Sequence, residues 1–351
     1  MKILLVMERR VNAGSIQAAA NYVRVGAEMG HEIAVYGRSD PAFPHLRCSI
    51  DVERFDYVLF IVESRLDWMT GLNLSRIVVR VPRSRRAVLD ADGMYNRVVV
   101  VNGYDRNHPS ERDRERWLGF YDELGDRVLQ PTPEPLESRV SPLLFYGYDP
   151  ASRVAGNGDG AKRFDIVHVG HNWWRWQEVG NHLLPSIERL RSRIGKIGFL
   201  GLWWDATPPW AARLGLEAAF QLDLERLRRL DIEVHPPVPY LEVIPAMSMG
   251  RINLMTQRPL LRHLGLTTSK YFEIFCADTI PLLMLTASEA ERVYGAAGRE
   301  LALDGNLDQK LIDVLDRPAV YQELVEEVRG HLLAHHSYRR RVQELVSALA
   351  D

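Results

Sequence analysis

Lys2-Ile3-Leu4-Leu5-Val6-Met7 opens the chain and decides how the rest is read. Five apolar residues in a row, without a polar residue at alternate positions, describe a strand covered on both faces. Beyond it Ile16, Ala19, Ala20, Val23 and Ala27 recur at helical spacing. They predict a helix with Ser15 as N-cap and Gly30 as its stop. Glu32–Tyr36 then reads as a second strand, and Tyr57–Val62, 77–81 and 98–101 as further short ones, with a helix over 110–124. Strands buried on both faces that alternate with helices imply a doubly wound parallel sheet.

The rhythm pauses and restarts. Residues 130–142 carry four prolines and 151–161 read ASRVAGNGDGA, which predicts an interdomain linker. After it Phe164–Val169, 196–200, 233–235, 252–255 and 280–285 read as strands. Helices are expected over 181–194, 241–249, 268–276, 309–315, 320–333 and 337–350. The expected organisation is an α/β domain over 1–150, a second over 151–336 and a terminal helix, 337–351, packing back on the first. A chain of 351 residues fits two such domains of ~150–175 residues each.

Composition narrows the function classes. Hydrophobic residues make up 46% and charged ones 26%, and 44 Lys and Arg against 46 Asp and Glu leave a net charge of -2. A nearly neutral chain has no global field to hold a polyanion, so nucleic acid is not expected as a partner and an anionic membrane would need a local patch. The one local basic run, Arg80, Arg83, Arg85 and Arg86, reads as a solvated loop. No apolar stretch reaches the ~20 residues of a membrane span, and the start of the chain lacks the features of a signal peptide. Cys48 and Cys276 are too few for a disulfide scaffold, so a cytoplasmic setting is expected.

Two nucleotide motifs are missing. The turn after the first strand, Glu8-Arg9-Arg10-Val11-Asn12-Ala13-Gly14, holds one glycine where a dinucleotide fold needs G-x-G-x-x-G, and there is no P-loop. Gly156-Asn157-Gly158-Asp159-Gly160 follows no strand and reads as linker. His168 and His171 have no third ligand at metal spacing, so no metal and no cofactor is expected.

The second half carries a family resemblance. Phe164-Asp165-Ile166-Val167-His168-Val169-Gly170 followed by Arg175, then Tyr240-Leu241-Glu242-Val243-Ile244-Pro245, then Thr267-Thr268-Ser269-Lys270-Tyr271-Phe272-Glu273-Ile274-Phe275-Cys276-Ala277, and last His335-His336-Ser337-Tyr338-Arg339-Arg340-Arg341, occur in that order. Together they resemble the donor half of GT-B glycosyltransferases, the group-1-like family with its spore-maturation-type members. The resemblance implies two Rossmann-like domains facing a cleft, with the terminal helix crossing back. It also implies transfer of a sugar from a nucleotide-diphosphate sugar, and it favours retention at the anomeric carbon. Two positions depart from the family pattern. Asp278 stands where it has a glycine, a place Asp could fill with left-handed backbone, and Lys270 replaces an arginine.

Residue chemistry fits that expectation. A diphosphate gains charge as the glycosidic bond breaks, and a helix N-terminus at Thr267, Thr268 and Ser269 with the Lys270 ammonium would seat it. The resemblance implies Glu273 on the ribose hydroxyls and Arg175 on the phosphates. In the first half, Gly14 permits close backbone approach and Ser15 could bond phosphate. Asp92, in Asp90-Ala91-Asp92-Gly93, is the candidate general base for an inverting transfer, and His108 a second one. In a retaining transfer the leaving phosphate takes the acceptor's proton and no protein base is needed. Six of the eight tryptophans fall between Trp173 and Trp210, a cluster suited to packing or to stacking on rings. Two other readings share the architecture: a nucleotide-sugar epimerase, and a non-catalytic module that binds a nucleotide sugar.

Overall fold

The computed structural model describes residues 1–10, 13–63, 74–154 and 162–350. Asn12 and the Gly156–Gly160 run lie outside the described residues. The chain divides into two compact units. The first is Met1–Gly147 with Leu260–Ser269 and Ser337–Asp351, and the second is Tyr148–Pro259 with Lys270–His336.

Unit 1 is built on β1 (Lys2–Val6), β2 (Glu32–Tyr36), β3 (Cys48–Ser49), β4 (Tyr57–Val62), β5 (Arg86–Asp90), β6 (Val100–Val101), β7 (Asp105–Arg106), β8 (Arg127–Gln130) and β9 (Val140–Pro142). Seven of these form a parallel sheet in the order β3-β2-β1-β4-β5-β8-β9, while β6 and β7 pair antiparallel on their own. Leu4 lies in register with Ala34 on one side and Val58 on the other. Leu4, Val58, Phe60 and Val88 are wholly buried, each side chain contributing about 1.5–3 kcal/mol on leaving water.

Several local readings are corrected. Residues 77–81 are not a strand but the end of a helix, Leu74–Arg80, that buries Ile77 and leaves Val79 81% exposed. The strand there is β5, whose first residue, Arg86, is buried because it donates to the Glu123 carbonyl at 2.9 Å. Of 98–101, only Val100–Val101 is strand, and it is outside the parallel sheet. The Pro-rich span is no linker: it joins β8 to β9 inside unit 1. Pro142 has no N–H to give, which suits an edge strand. The helix Gly14–Glu28 buries Ser15, Ile16, Ala18, Ala19, Tyr22 and Val25, a stripe rotated from the expected one.

The basic run is consumed internally. Arg83 pairs with Asp126 at 2.8 Å, Arg85 donates to the Asp56 carbonyl at 2.6 Å, and Arg80 pairs with Glu53 at 3.3 Å. The last helix, Tyr338–Ala350, belongs to unit 1. Tyr22 stacks on Phe145 at 4.8 Å and meets Tyr338 edge-on at 5.7 Å, and Arg127 ties down the helix end through the Ala348 and Leu349 carbonyls at 2.9 and 2.8 Å. Among the described residues no helix is long and apolar enough to cross a membrane.

Unit 2 carries β10 (Phe164–Val169), β11 (Ile197–Leu200), β12 (Ile232–His235), β13 (Gly250–Met255) and β14 (Ile280–Leu283), all parallel, in the order β12-β11-β10-β13-β14. The chain winds one way from β10 to β12 and the other way from β13, so strand order reverses between β10 and β13. Ligands of open α/β sheets bind outside the carboxyl ends of the strands at such a reversal. The helix expected over 181–194 is broken. Val179–Leu183 is a π-turn, and Leu184–Arg189 follows it with Pro185 near its start. Proline lacks the N–H that would continue an α-helical ladder, and a widened turn takes up the mismatch.

Candidate functional site

The carboxyl ends of β10 and β13 bring together residues that lie far apart in sequence. After β10 the chain turns sharply at Gly170, and Lys270, from the other side of the reversal, fills the space a side chain would occupy. A Cβ at Gly170 would collide with the Lys270 ammonium, which donates to the Val169 carbonyl. Gly201, at the end of β11, is pressed against the Gly170 carbonyl, where a Cβ would clash with backbone. The Trp204 indole N–H donates to that same carbonyl at 2.7 Å. The turn is therefore fixed from three sides.

Charge gathers there. Burial first, then the positive charge of Arg175, pulls the Lys270 ammonium from its ordinary value down to about 7, with the Glu273 carboxylate working against them. His168, one residue before the end of β10, is wholly buried. Burial, then the Lys270 charge, holds it well below the usual imidazole value, so it is neutral. Its Nδ1 faces the Leu254 carbonyl at 3.1 Å, and its Nε2 has no partner among the described residues. Glu273 is 9% exposed and completes a cluster of two cations and one carboxylate.

The sequence reading missed a second layer. Thr256, Gln257 and Arg258 leave the end of β13 and are all buried. The Glu178 carboxylate accepts the Gln257 backbone N–H at 3.0 Å, and the Tyr271 hydroxyl donates to the Gln257 side chain at 2.5 Å. Arg258 lies against the rings of Trp174 and Trp173 at 5.4 and 6.0 Å. The available signal was a polar triplet directly after an apolar strand and directly before Pro259. Glu178 gives none, because its partner is 79 residues away.

The helix from 268 to 276 is a single turn, Lys270–Glu273, followed by tighter turns that bond Phe275 N–H to Phe272 and Cys276 N–H to Glu273. Arg329 takes the Phe275 and Ala277 carbonyls at 2.8 and 2.6 Å and so ends it. One turn has little macrodipole, so positive charge at this place comes from side chains. Thr267 is committed to the Pro131 carbonyl through both N–H and hydroxyl, at 2.8 and 2.9 Å, within unit 1. Thr268 and Ser269 are half-buried at the end of the same segment. Asp278 is not among the left-handed residues. Its backbone N–H donates to Ser248 Oγ at 3.0 Å and its carboxylate accepts from the Lys162 ammonium at 2.6 Å, bonds that replace the expected strained turn.

In unit 1, Gly14 begins its helix, and Ser15 does not cap it. Its hydroxyl donates to Glu63 at 2.9 Å, and Arg10 pairs with the same carboxylate. Asp92 is half-buried in the turn after β5. Its neighbour Asp90 is wholly buried and accepts from Met94 N–H, Tyr95 N–H, Tyr121 hydroxyl and Gln130 amide at 2.8–2.9 Å. His108 is wholly buried, its Nε2 against the Met94 carbonyl at 2.7 Å, and burial lowers its pKa. Among the described residues no three His, Cys, Asp or Glu side chains group as a metal site.

Comparison with known proteins decides the family. The profile of the glycosyl transferase-like family matches residues 164–347, just over half of the chain. The chain belongs to that family. Among solved structures, this glycosyltransferase is similar to an alpha-glucosyltransferase in complex with UDP and a 13-mer DNA containing a central A:G mismatch, at 13% identity and a TM-score of 0.66 over 100% of both chains. It is also similar to the T4 phage beta-glucosyltransferase, in a complex with UDP and Mn2+, at 11% identity and a TM-score of 0.54 over 100% of both chains. At such identities the likeness speaks for the fold, which is GT-B. No curated protein matches the chain. The activity is transfer of a sugar from a nucleotide sugar to an acceptor.

Proposed function

We propose that the crevice at the ends of β10 and β13 is the seat of the donor diphosphate. Arg175 and Lys270 would contact the phosphates, Glu273 the ribose hydroxyls, and Thr268 and Ser269 would add hydroxyl donors. The carrying observation is the pair of cations, Arg175 and Lys270, held within each other's field at the strand-order reversal. Two like charges this close repel, and a bound dianion removes the repulsion. Stabilising the departing diphosphate is then the main catalytic effect. The two cations can supply that stabilisation without a metal ion.

In our reading the donor is a UDP-sugar, in keeping with the UDP bound by both neighbours, and the transfer is retaining. Gly14 and Ser15 would line the donor's approach in unit 1. Asp92 is the carboxylate we assign to the acceptor, and His108, neutral and buried, supports its loop. A net charge of -2, and a basic run already used in ion pairs and bonds to carbonyls, favour a small or neutral acceptor over nucleic acid. We assign the chain to the spore-maturation-type group on its ordered motifs, and to the cytoplasm on its two unpaired cysteines.

A thermal-shift screen of the purified protein against UDP, GDP, dTDP, ADP and CMP without metal tests the donor seat. One nucleoside diphosphate should raise Tm by several degrees at about 100 times its Kd, and Glu273→Ala should cut that shift by about half or more at the same ligand concentration. Silence from all five in a protein that melts cooperatively would refute the reading.

A further inference from the structure

Beyond the carboxyl ends of β10 and β11 four large rings gather. Phe220, 1% exposed, is surrounded by Trp173, Trp203 and Trp210 at centroid separations of 5.1, 4.9 and 5.2 Å. Phe220 is hidden, whereas the three indoles are only half-buried. The arrangement is a wall with one wetted side.

Two features separate this wall from ordinary packing. Trp174 and Trp203 have φ of 57° and 67°, left-handed backbone that a bulky residue adopts only under constraint. The constraint is visible. Asn172, wholly buried, donates its side-chain amide to the Trp203 carbonyl at 3.0 Å and the Gln221 carbonyl at 2.9 Å. Its own N–H bonds the Leu202 carbonyl at 2.9 Å, Trp174 N–H bonds the Ala219 carbonyl at 2.9 Å, and Leu202 N–H bonds His171 Nδ1 at 3.0 Å. Three loops are stitched into one piece, so the rings cannot fold inward to shed their wetted surface. The second feature is charge. Trp173 and Trp174 run directly into Arg175, and the buried Arg258 lies against both of their rings. One end of this surface is cationic and the other is aromatic.

A nucleoside diphosphate has the complementary polarity, anionic at one end and a flat π face at the other. We propose that the half-buried indoles of Trp173, Trp203 and Trp210 form the seat of the donor's nucleobase. The proposal rests on the reading of Arg175 and Lys270 as the diphosphate seat. A rigid aromatic platform contributes affinity because nothing has to be ordered when the base arrives, and one stacked base is worth about tenfold to hundredfold in binding.

The test compares UDP with inorganic pyrophosphate on the full chain, by titration calorimetry and tryptophan fluorescence, in the wild type, Trp203→Leu and Trp203→Phe. UDP should quench the emission, and pyrophosphate should compete with UDP without quenching. Trp203→Leu should weaken UDP about tenfold to hundredfold while leaving pyrophosphate within about twofold, and Trp203→Phe should recover part of the loss. Equal weakening of both probes by Trp203→Leu would make the tryptophan structural and overturn the proposal. Unchanged UDP affinity in Trp203→Leu would overturn it too, leaving the wall to an acceptor ring or to packing. Binding of neither probe to the wild type would instead sink the diphosphate seat itself. The wild-type quenching comparison needs no variant, so it decides the matter even if Trp203→Leu fails to fold.

Discussion

Donor affinity should fall as pH rises above about 7, and the cause should be one side chain. Lys270 titrates at about 7 in the empty site because burial and the Arg175 charge oppose its ammonium, with Glu273 opposing them in turn and the neighbouring His168 already neutral. The diphosphate of a nucleotide sugar needs the charged form. An anion at ~4 Å in a medium of effective dielectric about 20 is worth about 4 kcal/mol, enough to lift the bound Lys270 by about 3 pH units. Binding therefore takes up about half a proton at pH 7 and nearly a whole one at pH 8.5. Below pH 7 Lys270 is charged before the donor arrives, and affinity is flat. Above it the dissociation constant should climb about tenfold by pH 8 and approach a hundredfold by pH 9. Calorimetry of UDP-sugar binding from pH 6 to 9, in buffers of different ionisation enthalpy, reads both the affinity and the proton count. Lys270→Arg places a permanent charge there and should flatten the profile. A wild-type profile that is flat from pH 6 to 9, or an identical climb in Lys270→Arg, would refute the reasoning.

Three further outcomes are expected. Glu273→Ala should weaken UDP by about tenfold to hundredfold, the value of a charged hydrogen bond, while calorimetry with pyrophosphate shows little change. Asp90→Ala leaves four donors around a buried void and should cost about 3–5 kcal/mol. A melting curve would read that as roughly 10 °C in Tm. Sugar transfer should survive EDTA within about twofold, because Arg175 and Lys270 carry the charge; a complete loss restored by a divalent ion would contradict that.

The parts of the fold that could be read from sequence were those decided by local pattern. β1, β4 and β10 are unbroken apolar runs, and such runs have few alternatives to a buried parallel strand. β5 escaped because it begins at Arg86 and ends at Asp90, two charged residues buried by bonds made to distant parts of the chain. Residues 77–81 misled for the opposite reason: Ile77, Val78 and Val79 look like strand, but in the helix Ile77 is buried, Val78 is only partly so and Val79 faces out. The prolines of 130–142 suggested a linker, and a proline at an edge strand gives the same composition.

Within the candidate site the sequence offered Arg175, Lys270 and Glu273 through resemblance, and their chemistry agreed. It marked Gln257 and Arg258 only as part of a polar triplet after an apolar run, and Glu178 not at all, because their partners are set where β13 ends beside β10. Nor could it show that Thr267 was spent on Pro131, or that Ser15 faced Glu63 in place of its own helix. Side chains acquire such partners from topology, and spacing along the chain carries no trace of it.

The central claim is that the β10–β13 crevice holds the donor diphosphate, and a crystal structure of the protein with UDP tests it most directly. The account predicts phosphate oxygens within hydrogen-bond distance of Lys270 Nζ and the Arg175 guanidinium, with ribose hydroxyls on Glu273. UDP bound at the amino-terminal ends of β13 and β14, in the cavity lined by Arg251, Thr279 and Arg329, with Lys270 and Arg175 untouched, would contradict it.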